Sequence, residues 1–317
     1  PGSIRWDDSS LQITIAGTVY SDAGVTPVIG GMCDDSTSVI TVVVENGATE
    51  SDFCNSADGG YSIENVTVVG DPTITIYIDG VASTYGTVVT KTPTADVLDA
   101  DIYINRVIVR HEDVAAMTIA DMAAFDSSDD TDIRFTAATT SEVTLDTFAQ
   151  TELYVWATTT FTPEGTVTLQ ADSTSNIYDG SLYIANGATF TGAGTTTYTV
   201  GGIFTQGAGA TFIPASSTVL MNATTTNKAI TAGTGETIAF NQLTFNGTGG
   251  GWNINADITA SADVYVPTGT VMGTGDVTLS AGSFYGNGLV SMGGGTTTLT
   301  TTNTLGGTQG WTFYDLT

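Results

Sequence analysis

Residues 180–212 read GSLYIANGATFTGAGTTTYTVGGIFTQGAGATF, and Ala188-Thr189-Phe190 returns as Ala210-Thr211-Phe212 after 22 positions. Each copy follows a glycine-bearing turn and is built from threonine, glycine and one aromatic residue. The same texture runs from about residue 133 onward as short pieces such as TVTLQ, TIAFNQLTFNG and DVTLSAG, cut by Gly and Asn. Apolar residues alternate within the pieces as inward pairs: Val219 with Met221, Ile238 with Phe240, Leu243 with Phe245, Trp252 with Ile254, Val264 with Val266, Val277 with Leu279. A longer echo sets Ile238, Phe240, Leu243 and Thr244 against Trp311, Phe313, Leu316 and Thr317, a shift of 73 or close to three such intervals. A period of roughly 22 to 24 residues with several short strands in it is the signature of a β-solenoid. Each coil makes one rung and stacks on the next about 4.8 Å away. Every coil then solves one packing problem, with apolar residues inside and β-favouring threonines outside. Glycine and asparagine take the corners, where left-handed backbone is needed.

Residues 133–317 resemble the pectate-lyase-like right-handed β-helices of secreted bacterial proteins, a Thr/Gly-rich antiparallel array being the competing arrangement. Upstream, LQITIAGTVY, SVITVVVENG, GGYSIENVTVV, PTITIYIDG and ADIYINRVIV read as alternating strands punctuated by Gly, Asp, Asn and Pro. In TITIYIDG, Ile74, Ile76 and Ile78 fall on one face and Thr73, Thr75 and Tyr77 on the other. That spacing predicts a small antiparallel sandwich. AGTVYSDAGVTPVIGG followed by NSADGGYSIENVTV is similar to the carboxypeptidase-regulatory-like, transthyretin-type β-sandwich of bacterial surface proteins. Some members of that family carry a Lys–Asn crosslink from the first strand; here the only lysine of the module is Lys91.

Between the two lies VIVRHEDVAAMTIADMAAFDSSDDTD. Thr118 with Asp121 forms a capping-box pair, and Ile119, Met122 and Phe125 share a face. A helix of about two turns is expected, packed over an end of the following domain. The expected fold is thus all-β: an extended segment (1–10), an Ig-like, transthyretin-like β-sandwich (11–105), a junction with one short capping helix and an acidic loop (106–132), and a right-handed parallel β-helix (133–317).

Six Lys and Arg against 33 Asp and Glu give a formal net charge of −27. Such a field repels phosphate backbones and anionic membrane surfaces, and it tolerates bound cations. No stretch approaches the apolar length of a membrane helix. There is no charged, apolar leader at Pro1, so any signal peptide is expected to be already removed, or the sequence to be part of a precursor. Cys33 and Cys54 flank a Val-rich stretch in turn-like surroundings, and the only histidine, His111, is distant. A zinc site would need two more ligands. A disulfide is the better reading, and it implies an oxidising, extracellular compartment.

A β-helix can carry a polysaccharide lyase or hydrolase, which needs a basic residue, a cation or paired carboxylates. From residue 135 to the end the only basic residue is Lys228, and the acidic residues after 180 are Glu236, Asp257, Asp263, Asp276 and Asp315, each alone. That inventory disfavours an enzyme. Arg110, His111, Glu112 and Asp113 are adjacent, so they point in different directions, and a junction salt bridge is the expectation. Asp126, Asp129, Asp130 and Asp132 crowd one loop, and oxygen-rich loops suit calcium. The loop lacks the glycine and terminal glutamate of an EF-hand, and a solvated loop is the alternative.

Ile4 and Trp6 sit in a short extended segment suited to adding to a neighbour's sheet edge or folding onto its own domain. The chain stops at GWTFYDLT, an apolar strand without a polar cap, so Trp311, Phe313 and Leu316 are expected either to meet another subunit or to be covered by further chain. Taken together, the residues point first to a non-catalytic structural subunit of an extracellular bacterial filament, sheath or surface layer, polymerising head-to-tail with copies of itself. A second reading is an adhesin or glycan-binding stalk, with Trp252, Tyr265 and Tyr285 as handles if they line one face. A polysaccharide-degrading enzyme comes third.

Overall fold

The structure, a computed structural model, describes residues 10–113, 115–139, 141–145, 151–170, 177–301 and 304–317. The chain is nearly all β, with a β-solenoid of about 10 turns from residue 87 on. It forms two compact units, Pro1–Ala115 with Ala124–Arg134, and Ala116–Ala123 with Phe135–Thr317. Among the described residues no helix is long and apolar enough to cross a membrane.

The first unit holds β1 (Leu11–Tyr20), β2 (Ile40–Val44), β3 (Thr49–Asp52), β4 (Gly60–Val68), β5 (Thr73–Ile78), β6 (Thr87–Lys91), β7 (Ile102–Tyr103) and β8 (Arg106–Val109). One sheet has the order β4-β1-β7, with β1 antiparallel to β4 from Leu11↔Val68 to Thr18↔Gly60. In the other, β3, β2, β5, β6 and β8 lie side by side in that order. β5 sits inside that sheet and is buried at all of its positions, Thr75 and Tyr77 as well as the isoleucines. Period-two alternation therefore did not separate a wet face from a dry one here; Thr and Tyr supply the second apolar face. Gly59, at φ +72, is needed because a Cβ would stand 2.7 Å from the Val28 carbonyl oxygen. Cys33 and Cys54 are bonded and fully buried, tying the β1–β2 connection to the β3–β4 connection.

β6 and β8 pair in parallel, Thr87↔Val107. The sequence placed these strands in an antiparallel sandwich and the first coil at 133. Alternation within a strand carries no information on the direction of its neighbour, so the early start of the solenoid was hidden.

In the second unit the helix α1 covers only Ile119–Met122. Its capping box is formed: Thr118 Oγ1 accepts the Asp121 N–H at 3.3 Å, and the Asp121 carboxylate accepts the Thr118 N–H at 2.8 Å. Ile119 and Met122 are buried, and α1 packs on the strand Phe135–Thr139. Phe125 lies beyond the helix and belongs to the first unit, its ring 6.1 Å from that of Tyr77.

Each coil of the second unit has three walls. Thr197–Val200, Thr218–Met221, Gln242–Phe245, Val264–Tyr265 and Phe284–Gly286 follow one another in the first wall, all parallel. Leu182–Ile184, Phe204–Gln206, Lys228–Ala232, Gly251–Ile254 and Thr270–Gly273 build the second. The third wall begins with Thr160–Phe161, Thr189–Thr191 and Thr211–Ile213 and continues from Thr237–Phe240. Thr189 pairs with Thr211 and Phe190 with Phe212, so the 22-residue repeat is one coil.

Inside, rings meet coil to coil: Phe212 lies 5.5 Å from Phe190, 5.3 Å from Phe204 and 5.7 Å from Phe240. The 73-residue echo is different. Thr312 bridges to Ser291 in the second wall, whereas Ile238 and Phe240 lie in the third. All walls share the same alternation, so a motif recurs on the wrong wall without marking a coil.

Candidate functional site

The acidic loop of the first unit divides its four carboxylates between two tasks. Asp126 Oδ1 accepts the Ser128 N–H and hydroxyl, both at 2.7 Å, and Asp129 Oδ2 accepts the Asp126 N–H at 3.0 Å. These two shape the turn. Asp130 and Asp132 instead gather with Asp79, at the end of β5, and carboxylate oxygens of the three lie within 4.8 Å of one another. The Tyr77 hydroxyl donates to Asp130 at 3.0 Å, the Gly80 N–H to Asp132 at 2.7 Å and the Thr41 hydroxyl to Asp79 at 3.0 Å. Burial raises the Tyr77 phenol well above its ordinary value, with the bond to Asp130 and the three negative charges adding to the effect. Three carboxylate oxygens form the donor set that a hard cation such as calcium takes. Asp79 was missed because it lies in a plain strand-ending IDG turn some fifty residues upstream; its only signal was that position.

Arg110 is buried and pairs with Asp99 at 2.8 Å and with Glu112 at 2.8 Å, while the Thr90 hydroxyl donates to Glu112 at 2.6 Å. The RHED stretch thus holds a structural ion pair. In the same unit a cleft of about 610 Å³ is lined by Val44, Glu45, Ala48, Val69, Asp71 and Pro72 among others. The Glu45 carboxylate accepts the Thr73 N–H at 3.1 Å. Ile4 and Trp6 lie outside the described residues.

In the solenoid, carboxylates serve neighbouring coils. Asp257 accepts the Asp276 N–H at 2.9 Å, Asp276 the Thr296 N–H at 2.6 Å, and Asp263 the Ser283 N–H at 2.7 Å. Glu236 accepts the Gly209 N–H. Lys228 is 3 % exposed, and burial lowers the pKa of its ammonium group.

Of the aromatic handles, Trp252 is fully buried, 5.3 Å from Phe245, because it alternates inward with Ile254. It is not on a surface with Tyr265 and Tyr285. Those two point outward in register on adjacent coils and stack with centroids 4.7 Å apart. The Tyr285 phenol is raised by burial, then by the charge of Asp263. Trp311 packs on Phe284 at 5.1 Å and donates its indole N–H to the Gly288 carbonyl at 2.9 Å. Phe313 stands 6.2 Å from Trp311, and Leu316 is 45 % exposed. A comparison with protein-family models, with curated proteins and with solved structures returns no significant match.

Proposed function

We propose that the chain is a non-catalytic structural subunit of an extracellular bacterial filament, sheath or surface layer that associates with copies of itself. The observation that carries this reading is the use of the solenoid's acidic side chains. Asp257, Asp263 and Asp276 clip one coil's backbone to the next, as carboxylates of a scaffold do, and Lys228, the one basic residue after Arg134, is buried. A lyase or hydrolase would need such groups to converge on open solvent. Placement outside the cell is supported by the disulfide and by the resemblance to secreted sandwich and β-helix proteins. Self-association is supported by exposed apolar side chains of the first unit, Val25 at 80 % and Ile29 at 67 %.

Negative-stain electron microscopy of the purified protein, paired with light scattering, tests this. Regular filaments or sheets are expected, and Ile29→Asp is expected to weaken them. Monodisperse particles at every concentration would remove self-association and leave a monomeric stalk.

A further inference from the structure

In the middle of the solenoid the third wall changes sheet. Thr211–Ile213 ends one ladder, Thr237–Phe240 on the next coil begins another, and no strand pairing joins them. The first and second walls run through the same two coils unbroken. In a parallel sheet alternate residues turn their N–H and C=O to opposite neighbours. The Thr211 N–H goes back to the Ala188 carbonyl at 2.8 Å, so the backbone N–H and C=O of Phe212 face forward, into the gap.

Side chains stand in for the missing ladder. Gln206 Oε1 accepts the Phe212 N–H at 3.2 Å, and Glu236 Oε1 reaches back to accept the Gly209 N–H. The two coils are still held close. The Gly233 N–H donates to the Gln206 carbonyl at 2.9 Å, and a Cβ on Gly233 would stand 2.7 Å from Ala208 Cα. The Phe212 and Phe240 rings are 5.7 Å apart. What remains is a crevice of about 270 Å³ lined by Gln206, Thr211, Phe212, Glu236, Thr237 and Ala239.

The second oxygen of Glu236, Oε2, is buried and accepts no hydrogen bond. No basic side chain answers it, since Lys228, the one basic residue after Arg134, belongs to the second wall in register with Trp252. A buried carboxylate oxygen without a partner is costly. We infer that this crevice is a calcium site between two coils, with Glu236 Oε2 as its charged ligand. The other candidate ligands are the Gln206 side-chain carbonyl, the Phe212 main-chain carbonyl and the hydroxyls of Thr211 and Thr237, all oxygen, which selects a hard cation over zinc or copper. Oxygens drawn from two coils suit the adaptable coordination of calcium better than the strict octahedron of magnesium. With one carboxylate the affinity falls in the range of weak extracellular sites, a Kd of about 10⁻⁴ to 10⁻³ M. The site uses none of the three aspartates of the first unit, and it does not depend on self-association.

The test is hydrogen exchange, read by mass spectrometry, on the full chain carrying Asp79→Asn, so that the first-unit cluster is disabled. Exchange is compared in about 5 mM calcium, above the expected Kd, and in chelator at matched ionic strength. Calcium is expected to slow exchange several-fold in Thr211–Ile213 and Thr237–Phe240 and to leave Phe284–Gly286 unchanged. Glu236→Gln, which keeps the shape and removes the charge, is expected to abolish the slowing. Glu236→Asp, which keeps the charge and shortens the reach, is expected to weaken it and serves if circular dichroism shows the glutamine variant misfolded. Exchange indifferent to calcium, an equal effect of magnesium, or slowing that persists in folded Glu236→Gln would each overturn the inference.

Discussion

Phe212 is the position where the stacked-coil argument can be broken most cleanly. It is 3 % exposed and touches four rings from other strands: Phe190 at 5.5 Å, Tyr198 at 6.5 Å, Phe204 at 5.3 Å and Phe240 at 5.7 Å. Phe212→Ala removes the apolar surface and leaves a cavity that rigid parallel coils cannot collapse around, so the cost is about 4 kcal/mol. Phe212→Leu keeps most of the volume and loses the ring pairs, for about 1 to 2 kcal/mol. Thr211→Ala, one residue away and exposed, is expected to change stability by less than about 0.5 kcal/mol. Because each coil contacts only its neighbours, the loss should be local. Hydrogen exchange read by mass spectrometry is the assay. In Phe212→Ala, protection should fall in the strands Thr189–Thr191, Thr211–Ile213 and Thr237–Phe240 and hold in Phe284–Gly286. Equal costs for the leucine and alanine variants would refute ring packing as the source. Equal loss of protection in Phe284–Gly286 would refute the coil-by-coil account.

Three further outcomes are expected. The Cys33→Ser, Cys54→Ser double variant should lose about 3 kcal/mol in calorimetric unfolding of the first unit, since the bridge closes a loop of 21 positions; a loss near zero would mean that buried packing alone holds the two connections together. Tyr61, Tyr77 and Tyr103 all have phenols raised by burial, so their protonated forms favour the folded state. That stability is full below the unfolded tyrosine value of about 10 and is lost as pH climbs through the folded values; an ultraviolet titration showing these phenols ionising like free tyrosine, with no alkaline unfolding, would contradict it. Calcium should raise the melting temperature of the first unit, and Asp79→Asn should abolish the rise; an equal rise in the variant would take Asp79 out of the ligand set.

The solenoid was legible because Ala188-Thr189-Phe190 and Ala210-Thr211-Phe212 occupy equivalent places in successive coils, and a coil's geometry fixes its length. Alternation also assigned inward residues correctly wherever a strand had one dry face, as at Val219 and Met221. It failed where the missing information was non-local. Thr75 and Tyr77 were read as a second, different face, and both are buried because sheet neighbours and other chain cover them. The cluster at the acidic loop needed Asp79, which only the fold brings to Asp130 and Asp132. The alternation of Trp252 with Ile254 already put both on the inner face, as the structure has them, and only the glycan-binding reading set Trp252 on a surface. A glycine in a Gly-rich repeat reads as one more corner, and only the register with Tyr285 shows that Gly306 stands in a strand column where a side chain is missing. In a repetitive chain the informative residues are therefore the exceptions within a column. They become visible once the register is known.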